Sequence, residues 1–399
     1  MSLAKNAEDD LRDSMNVFYS MLKITGAWPN PNKSSLSSVI LKTCIIFISY
    51  FVQLVTLVPS VLYAFAKENN GRKRIKLLTP QINNLCQLIK YTILFRRMKE
   101  FREMMEEIRN SWLNATEENR QIFRTNAMIG RKVVIGIAVT MFSGGLSNRT
   151  IIPLVKGRIV LPNNTTIRLL SCPSYFVFFD EQVTPNYEII YVLQIFGGFF
   201  TYTTLCATMG VCTMLCLHMC SLLRILTNKM IELSDQLDIS ENAVQEKIAD
   251  IVEYRTGIKR FSTNIDRIIP TICFFEMIND TLVACVVGYC IIMEWENNNV
   301  TAIVIYLLLQ TSCVFVNFTM CYIGQLLINE SETVGRTCAT LNWYRFPMNK
   351  ARYLVLVIII SNYRIKITAA KVVDVSLATF TDIMKASVGY LNMLRSTLQ

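Results

Sequence analysis

The sequence has few charged side chains and a single histidine. Asp, Glu, Lys and Arg make up 18% of its 399 residues, whereas an ordinary soluble chain has about 25%. No H-E-x-x-H, G-x-S-x-G or P-loop sequence occurs, and His218 is the only histidine, so we expect no enzyme. With a hydrophobic fraction of 52%, the composition also excludes a disordered chain and a usual nucleic-acid-binding domain. A large apolar core or a membrane protein remains.

Apolar runs decide between these two classes. A helix needs about 20 mostly apolar residues to cross the roughly 30 Å hydrocarbon layer. Seven segments are candidates, namely 39–66, 75–94, 133–146, 189–223, 268–293, 300–328 and 372–394. The second and the seventh contain several polar or charged residues, so neighbouring helices or water must shield them. The sequence therefore predicts an all-α membrane protein with seven transmembrane helices.

The distribution of basic residues predicts the orientation. Most of the 40 Lys and Arg residues lie in the N-terminal arm and in the segments after the second, fourth and sixth spans. The side with more Lys and Arg is usually cytoplasmic, which places the N-terminus in the cytoplasm and the C-terminus outside. A G-protein-coupled receptor has the opposite orientation, and its Asp-Arg-Tyr and Asn-Pro-x-x-Tyr signatures are absent. We therefore expect no requirement for a G protein.

Three glycosylation sequons lie between the third and fourth spans. They begin at Asn148, Asn163 and Asn164, and the predicted topology places this segment outside the cell, where such sites are used. Further sequons, such as those at Asn114 and Asn329, fall on the cytoplasmic side, so sequons also arise by chance in this sequence. The first three are the glycosylation candidates.

Aromatic side chains cluster toward the outer end of the fourth span. They are compatible with an interfacial aromatic belt and close helix packing, or with the wall of an apolar ligand cavity between helices. Residues of other spans complete the candidate set. The candidate ligand-binding residues are Tyr91, Met141, Phe142, Phe196, Phe199, Phe200 and Tyr306. None of them carries charge, so the expected ligand is small, neutral and volatile or lipid-like.

Three cysteines recur every four residues near the only histidine. Cys212, Cys216 and Cys220 share a helix face, but His218 lies two residues from its nearest cysteines and points elsewhere. Structural zinc needs four converging ligands, whereas small cysteines commonly pack between membrane helices. We expect neither a metal site nor a cofactor.

A short apolar segment precedes the last span. Residues 354–360 are too few to cross a membrane, and basic residues bracket them. Exposed, such a helix would aggregate, so we expect it to pack against copies of itself or a partner; packing on its own chain is the alternative. The predicted organisation is one integral domain. Residues 1–346 hold the arm and six spans, 347–371 the cytoplasmic anchor helix and linker, and 372–399 the last span.

The last span has a polar stripe. Asp382, Lys385, Gly389, Asn392 and Ser396 are spaced three or four residues apart, so they share one face of a helix. A membrane helix with such a stripe needs water or a polar partner along it. Four such helices around an axis would line a pore. The alternative is a stripe buried in helix contacts, with Asp382 and Lys385 paired.

The C-terminal quarter holds a series of short motifs. They are Gly-Gln-Leu-Leu at 324–327, Asn-Glu-Ser-Glu at 329–332, Trp343, Val-Ser-Leu-Ala-Thr-Phe at 375–380 and Ser-Val-Gly-Tyr-Leu at 387–391. This pattern resembles the insect odorant receptors, and the rest of the chain is similar in length, span count and loop sizes. The related gustatory receptors end in Thr-Tyr, five apolar residues and Gln-Phe. Here Gly389 precedes Tyr390 and no Gln-Phe follows, which favours the odorant branch.

The resemblance implies a ligand-gated, non-selective cation channel in the plasma membrane, a heterotetramer of odorant-specific subunits with a shared co-receptor. It implies a pocket for a small volatile between spans two to six, in the outer half of the membrane. The implied pore residues are Gly389, Asn392, Met393, Ser396 and Thr397, with the gate at Met393. The co-receptor has a much longer segment than residues 224–267 here, which implies an odorant-specific subunit. A gustatory-type receptor channel and a membrane transporter are the alternatives.

Overall fold

The computed structural model describes residues 2–28, 36–146, 149–151, 153, 157–160, 166–235, 241–341 and 364–398, and these are mostly helical. The helices are α1 (Ser2–Ile24), α2 (Leu36–Ala66), α3 (Gly71–Arg96), α4 (Met98–Leu113), α5 (Glu117–Met141), α6 (Asn186–Asp235), α7 (Glu241–Ile265), α8 (Ile269–Glu296), α9 (Val300–Thr340) and α10 (Leu377–Leu398). A π-helical turn, Phe142–Leu146, follows α5. Two short antiparallel pairs accompany the helices: β1 (Arg158–Val160) with β2 (Thr166–Arg168), and β3 (Thr368–Ala369) with β4 (Val373–Asp374).

Each of the seven predicted spans coincides with a helix. Five described helices are long and apolar enough to cross a membrane: α2, α5 with the π-helical turn that follows it, α6, α8 and α9. The more polar α3 and α10 have 26 and 22 residues. At 1.5 Å per residue they reach about 39 and 33 Å, which is sufficient for a hydrocarbon layer of about 30 Å. The predicted all-α membrane fold is confirmed, while the number of spans and the orientation of the termini stay predictions.

Helix α6 is the centre of the bundle. Nearly all of its apolar length is buried, and it packs against α2, α5 and α9. Such a helix is apolar on all sides because neighbours surround it. Small residues bring these neighbours close. Gly197 of α6 faces Thr56 of α2, and Leu217 lies 3.0 Å from where a Cβ on Gly130 of α5 would be. Contacts at small residues are the usual way in which membrane helices pack.

At one end of the bundle, α1 and α7 pack on α6, and α4 packs on α1 and α3. His218 of α6 lies here between two aromatic rings. Its ring centroid is 5.1 Å from that of Phe123 and 5.4 Å from that of Phe261. The three cysteines that share a face of α6 are buried. Within the part of the chain that the structure describes, no group of potential ligands could hold a metal ion. His218 is therefore a packing residue.

The last helix begins five residues later than predicted. Residues 372–376, expected to open the span, form β4 and the link to α10. Ala370 and Lys371 have φ values of 49° and 61° and turn the chain between β3 and β4. Ser376 then caps the helix, because its hydroxyl accepts a hydrogen bond from the Thr379 N–H at 3.3 Å. The predicted start is wrong because periodicity alone cannot assign a short β-branched apolar run to strand or helix.

Several predicted features lie outside the described residues. They are the glycosylation candidates Asn148, Asn163 and Asn164 and the anchor segment 354–360. Of the predicted unit 347–371, the described part begins at residue 364 and contains β3.

Candidate ligand cavity and the last helix

A cavity of about 270 Å³ lies between α3, α8 and α9, near the loop that precedes α6. Small-molecule sites usually measure about 300–1,000 Å³, so this one suits a small ligand. The wall is mostly apolar, with a few polar and charged groups. The lining residues are Lys76, Leu77, Thr79, Pro80, Gln81 and Asn83 of α3, Met141 of α5, Tyr202 and Leu205 of α6, Asn279, Asp280, Val283, Val287 and Cys290 of α8, Ala302, Tyr306, Leu309 and Cys313 of α9, and Arg149, Pro153 and 169–173 from the connecting segment.

Residues 169–175, here called the cap segment, close the cavity and are fixed to two helices. The side chain of Gln194 on α6 accepts a hydrogen bond from the Cys172 N–H at 3.0 Å and donates one to the Cys172 carbonyl oxygen at 2.7 Å. The Tyr175 N–H donates to the carbonyl oxygen of Pro59 on α2 at 2.9 Å. Gln194 is 1% exposed, so water does not compete for these bonds and the segment is held firmly.

Two of the predicted ligand-binding residues line the cavity. Met141 of α5 and Tyr306 of α9 are both buried and meet at this wall. Phe142 packs against Tyr202, with ring centroids 6.4 Å apart, so it supports the wall from the side. Tyr202 itself lines the cavity. It belongs to the aromatic cluster of the fourth span and is the member that the sequence analysis missed.

The other four candidates lie elsewhere. Phe196 is 54% exposed on the outer face of α6. Phe199 and Phe200 contact each other, with ring centroids 5.9 Å apart. Tyr91 donates a hydrogen bond to the carbonyl oxygen of Thr25, at the end of α1. None of these four belongs to the cavity wall formed by the described residues, and as ligand contacts they stay predictions.

Polar side chains of α3 face α8 across the cavity. Lys76 forms an ion pair with Glu294, and its ammonium group lies 5.3 Å from the ring centroid of Tyr306. Nearer the middle of the bundle, the side-chain oxygen of Asn83 accepts a hydrogen bond from the amide of Asn279 at 3.2 Å. The wall therefore differs from the uncharged set that the sequence analysis predicts.

Three charged residues are buried together between α3 and α8. Lys90 and Glu276 have no exposed side-chain surface and form an ion pair. Asp280, one turn along α8, is also buried and lies within electrostatic range of Lys90. Helix α8 thus shields the polar residues that make the second predicted span less apolar than a usual transmembrane segment. Sequence spacing could not reveal the pair, because Lys90 and Glu276 are 186 positions apart.

Helix α8 also connects the cavity to α10. Val287 lines the cavity. On another face of α8, the carbonyl oxygen of Thr281 accepts a hydrogen bond from the Ser387 hydroxyl at 3.5 Å. Leu391 of α10 lies 3.3 Å from where a Cβ on Gly288 would be. A change in the position of α8 therefore reaches α10 through direct contacts.

The polar stripe of α10 faces away from the chain's own bundle. Its residues Asp382, Lys385, Gly389, Asn392 and Ser396 are all exposed. Ile383 and Ser387, on the other side of the helix, are buried. Met393, the predicted gate, is 65% exposed, and Thr397 lies in the last turn of the helix. Within the described residues, the stripe is not buried in helix contacts, and Asp382 and Lys385 form no ion pair with each other.

Known proteins resemble this chain over most of its length. The sequence profile of the 7tm Odorant receptor family matches residues 71–388. Odorant receptor 13a of Drosophila melanogaster is 21% identical over 400 residues, which cover 94% of this chain and 93% of that receptor. Odorant receptor 22c of the same species is 20% identical over 399 residues and covers 94% of both chains.

The fold is also that of a solved receptor. The insect olfactory receptor OR5 from Machilis hrabei, in complex with eugenol, matches with a TM-score of 0.80 at 14% identity, covering 97% of this chain and 98% of that chain. A second structure of OR5 matches with a TM-score of 0.77 at 15% identity. The family match runs from α3 into α10 and so includes all the lining residues of the cavity and residues 377–388 of the last helix. This chain therefore belongs to the 7tm Odorant receptor family.

Proposed function

We propose that the chain is an odorant-specific subunit of a heteromeric, ligand-gated, non-selective cation channel. A small volatile molecule binds in the cavity and opens a pore lined by α10. The observation that carries this proposal is the position of α8, which lines the cavity with one face and packs on α10 with another. A ligand in the cavity thus acts on the helix that supports the proposed pore.

The contacts of α8 provide a route from ligand to gate. A ligand shifts a channel toward its open form only as far as it binds that form more tightly. Here the ligand contacts the cavity face of α8, and repacking of α8 moves Ser387 and Leu391 on α10. Met393 is two residues beyond Leu391, so this movement also displaces the proposed gate.

The exposed stripe of α10 supports assembly with further subunits. A polar face within a membrane needs water or a polar partner, and the described part of this chain does not cover the stripe. Four subunits around a closed symmetry axis would give every stripe access to an aqueous pore. The segment 224–267, which is short compared with that of the co-receptor, supports the role of the odorant-specific partner.

We propose that the ligand is small and volatile. A cytoplasmic N-terminus, as the basic residues predict, places the cap segment and the cavity in the outer half of the membrane. The expectation of a neutral ligand rests on the ligand-binding residues predicted from the sequence, none of which is charged. The cavity wall also includes Lys76, Arg149 and Asp280, so charge on the ligand is compatible with the site.

Whole-cell recording tests the proposed function. The chain is expressed alone and together with an insect odorant co-receptor, and a panel of small volatiles is applied. We expect a non-selective cation current only in the co-expressing cells. A direct agonist of the co-receptor is the control for assembled channels. Volatile-dependent uptake of a solute without single-channel steps would contradict the proposal and indicate a transporter.

The same recordings test whether α10 lines the pore. Met393→Ala shortens the side chain at the proposed gate, so we expect a larger resting current or altered permeability ratios for Na⁺, K⁺ and Ca²⁺. Ile383→Val is the control, because Ile383 lies on the buried side of the same helix and should leave these ratios unchanged. Wild-type ratios and wild-type resting current in Met393→Ala channels would remove Met393 from the pore.

Met141→Ala and Phe196→Ala separate the cavity from the outer aromatic cluster. Met141 lines the cavity, and one methylene in an apolar pocket contributes about 1–3 kcal/mol. We therefore expect its truncation to raise the half-maximal concentration of an activating volatile at least about tenfold. Phe196 faces outward, and its truncation should change that concentration less than about twofold. Dose–response curves in co-expressing cells measure both, and the opposite order would place the ligand at the aromatic cluster.

A further inference from the structure

We infer that the cavity binds a small organic acid, with its carboxylate held by Arg149. This inference rests on the proposed function and narrows the class of ligand. Arg149 lines the cavity and is only 4% exposed. None of its three guanidinium nitrogens has an anionic partner or a hydrogen bond of good geometry among the described residues, and the nearest acceptor is the uncharged Tyr202 hydroxyl. A buried charge without a partner is costly, so this position favours a ligand that supplies one.

The surroundings of Arg149 fix its side chain but do not balance its charge. The side chain crosses α6 at Gly198, where a Cβ would lie 2.8 Å from the Arg149 Cδ. The guanidinium carbon lies 5.7 Å from the ring centroid of Tyr202. The thiol of Cys172 is a further polar neighbour of the guanidinium. The backbone carbonyl oxygen of Arg149 accepts a hydrogen bond from the Ser171 hydroxyl at 2.6 Å, which ties this residue to the cap segment.

The other charged residues of the wall already have counter-charges. Lys76 is paired with Glu294, and Asp280 shares the ammonium group of Lys90 with Glu276. Arginine keeps its proton at any pH that a protein meets, whereas a buried carboxylic acid can avoid the cost of its charge by protonation. The counter-charge that Arg149 lacks must therefore come from an added acceptor or anion.

A carboxylate fits this guanidinium better than other small acceptors, because the two planar groups form two parallel N–H···O bonds. The remaining wall includes the apolar residues Met141, Leu170, Val283 and Leu309, which suit a short hydrocarbon chain. A volume of about 270 Å³ equals roughly nine waters at about 30 Å³ each, so the ligand has roughly nine non-hydrogen atoms. Short-chain carboxylic acids have this size and are volatile in their protonated form.

Ligand-dependent thermal unfolding of the purified full-length chain in lipid nanodiscs tests the inference. Hexanoate, 1-hexanol and heptane are matched in size and differ in their polar group. Near neutral pH, we expect hexanoate to raise the unfolding midpoint at concentrations at least about tenfold lower than 1-hexanol does, because charge-assisted hydrogen bonds are the strong ones. Heptane should bind no better than 1-hexanol.

Arg149→Met removes the charge and keeps much of the side-chain length. We expect it to weaken the effect of hexanoate at least about tenfold and to leave that of 1-hexanol unchanged. Without ligand, this variant should unfold at the same or a higher temperature than the wild type, because an unbalanced buried charge is gone. Arg149→Lys keeps the charge without the planar fork and should be intermediate. If Arg149→Met does not fold, Arg149→Gln replaces it in the comparison.

Equal affinity of the wild type and Arg149→Met for hexanoate would overturn the inference. So would an Arg149-dependent stabilisation by chloride alone to which hexanoate adds nothing. Binding is measured without any current, so the two proposals fail separately. Arg149-dependent binding of hexanoate, with no volatile-evoked current in co-expressing cells, would overturn the channel proposal and leave the acid site. Currents evoked by 1-hexanol in channels that do not bind hexanoate would overturn the acid site alone.

Discussion

Lys90→Met is expected to remove folded receptor from the cell surface. Lys90 and Glu276 are paired and have no exposed side-chain surface, and Asp280 lies within electrostatic range of the same ammonium group. Removal of the cation leaves Glu276 buried without a counter-charge, and breaking such a pair from one side costs about 3–5 kcal/mol. Folded proteins are stable by only about 5–15 kcal/mol. Surface biotinylation and size-exclusion profiles of the solubilised chain measure the loss.

Two variants distinguish loss of pairing from loss of the lysine itself. Lys99→Met removes an exposed ammonium group of α4 and should leave the surface level close to that of the wild type. The triple variant Lys90→Met, Glu276→Leu and Asp280→Asn removes all three buried charges and should recover most of the folded chain, because replacement of a buried charge cluster by uncharged residues is often neutral or stabilising. Wild-type surface levels of Lys90→Met would show that the pair does not support the fold. A triple variant with a surface level as low as that of the single variant would exclude charge pairing as the cause.

The helices could be predicted because a run of about 20 apolar residues has few alternatives to a membrane helix. The buried charges could be predicted only one at a time. Lys90 and Glu276 each stand out as charged residues within an apolar segment, but their pairing depends on α3 packing against α8. Periodicity gives the face of a helix and not the identity of its neighbour, so this pairing needed the three-dimensional structure.

The cavity was harder to predict for a geometric reason. Helix α6 is apolar on all sides, so its sequence gives no direction toward solvent, lipid or ligand. Phe196 and Tyr202 belong to the same aromatic cluster, but the former is 54% exposed and the latter 5%. Arg149 is the middle residue of the sequon that begins at Asn148, in a segment that the sequence predicts to be an outer loop. Its burial depends on Gly198, distant in sequence, which leaves room for the side chain.

Gly324→Ala is expected to displace the start of α10 from α9. A Cβ at this position would overlap the carbonyl oxygen of Val375 and lie 2.9 Å from Val375 Cγ1. The Val375 N–H donates to the carbonyl oxygen of Ile367 at 2.9 Å, so the hairpin that carries α10 would have to move. Overpacking costs about 1–3 kcal/mol and occasionally more, which outweighs the gain of up to about 1 kcal/mol for alanine over glycine in a helix. The measurement is the unfolding midpoint of the purified chain, which we expect to be lower than that of the wild type.

Gly257→Ala is the matched control, and its effect should have the opposite sign. Nothing lies within 4 Å of where a Cβ on Gly257 of α7 would be, so alanine should stabilise the chain by up to about 1 kcal/mol. Both substitutions add one methyl group to a helical glycine, and only the surroundings differ. A midpoint for Gly324→Ala at or above that of Gly257→Ala would mean that Val375 does not hold α10 in place. Because the proposed gating movement reaches α10 from its neighbours, a loss of current that exceeds the loss of surface protein would assign the defect to coupling rather than to folding.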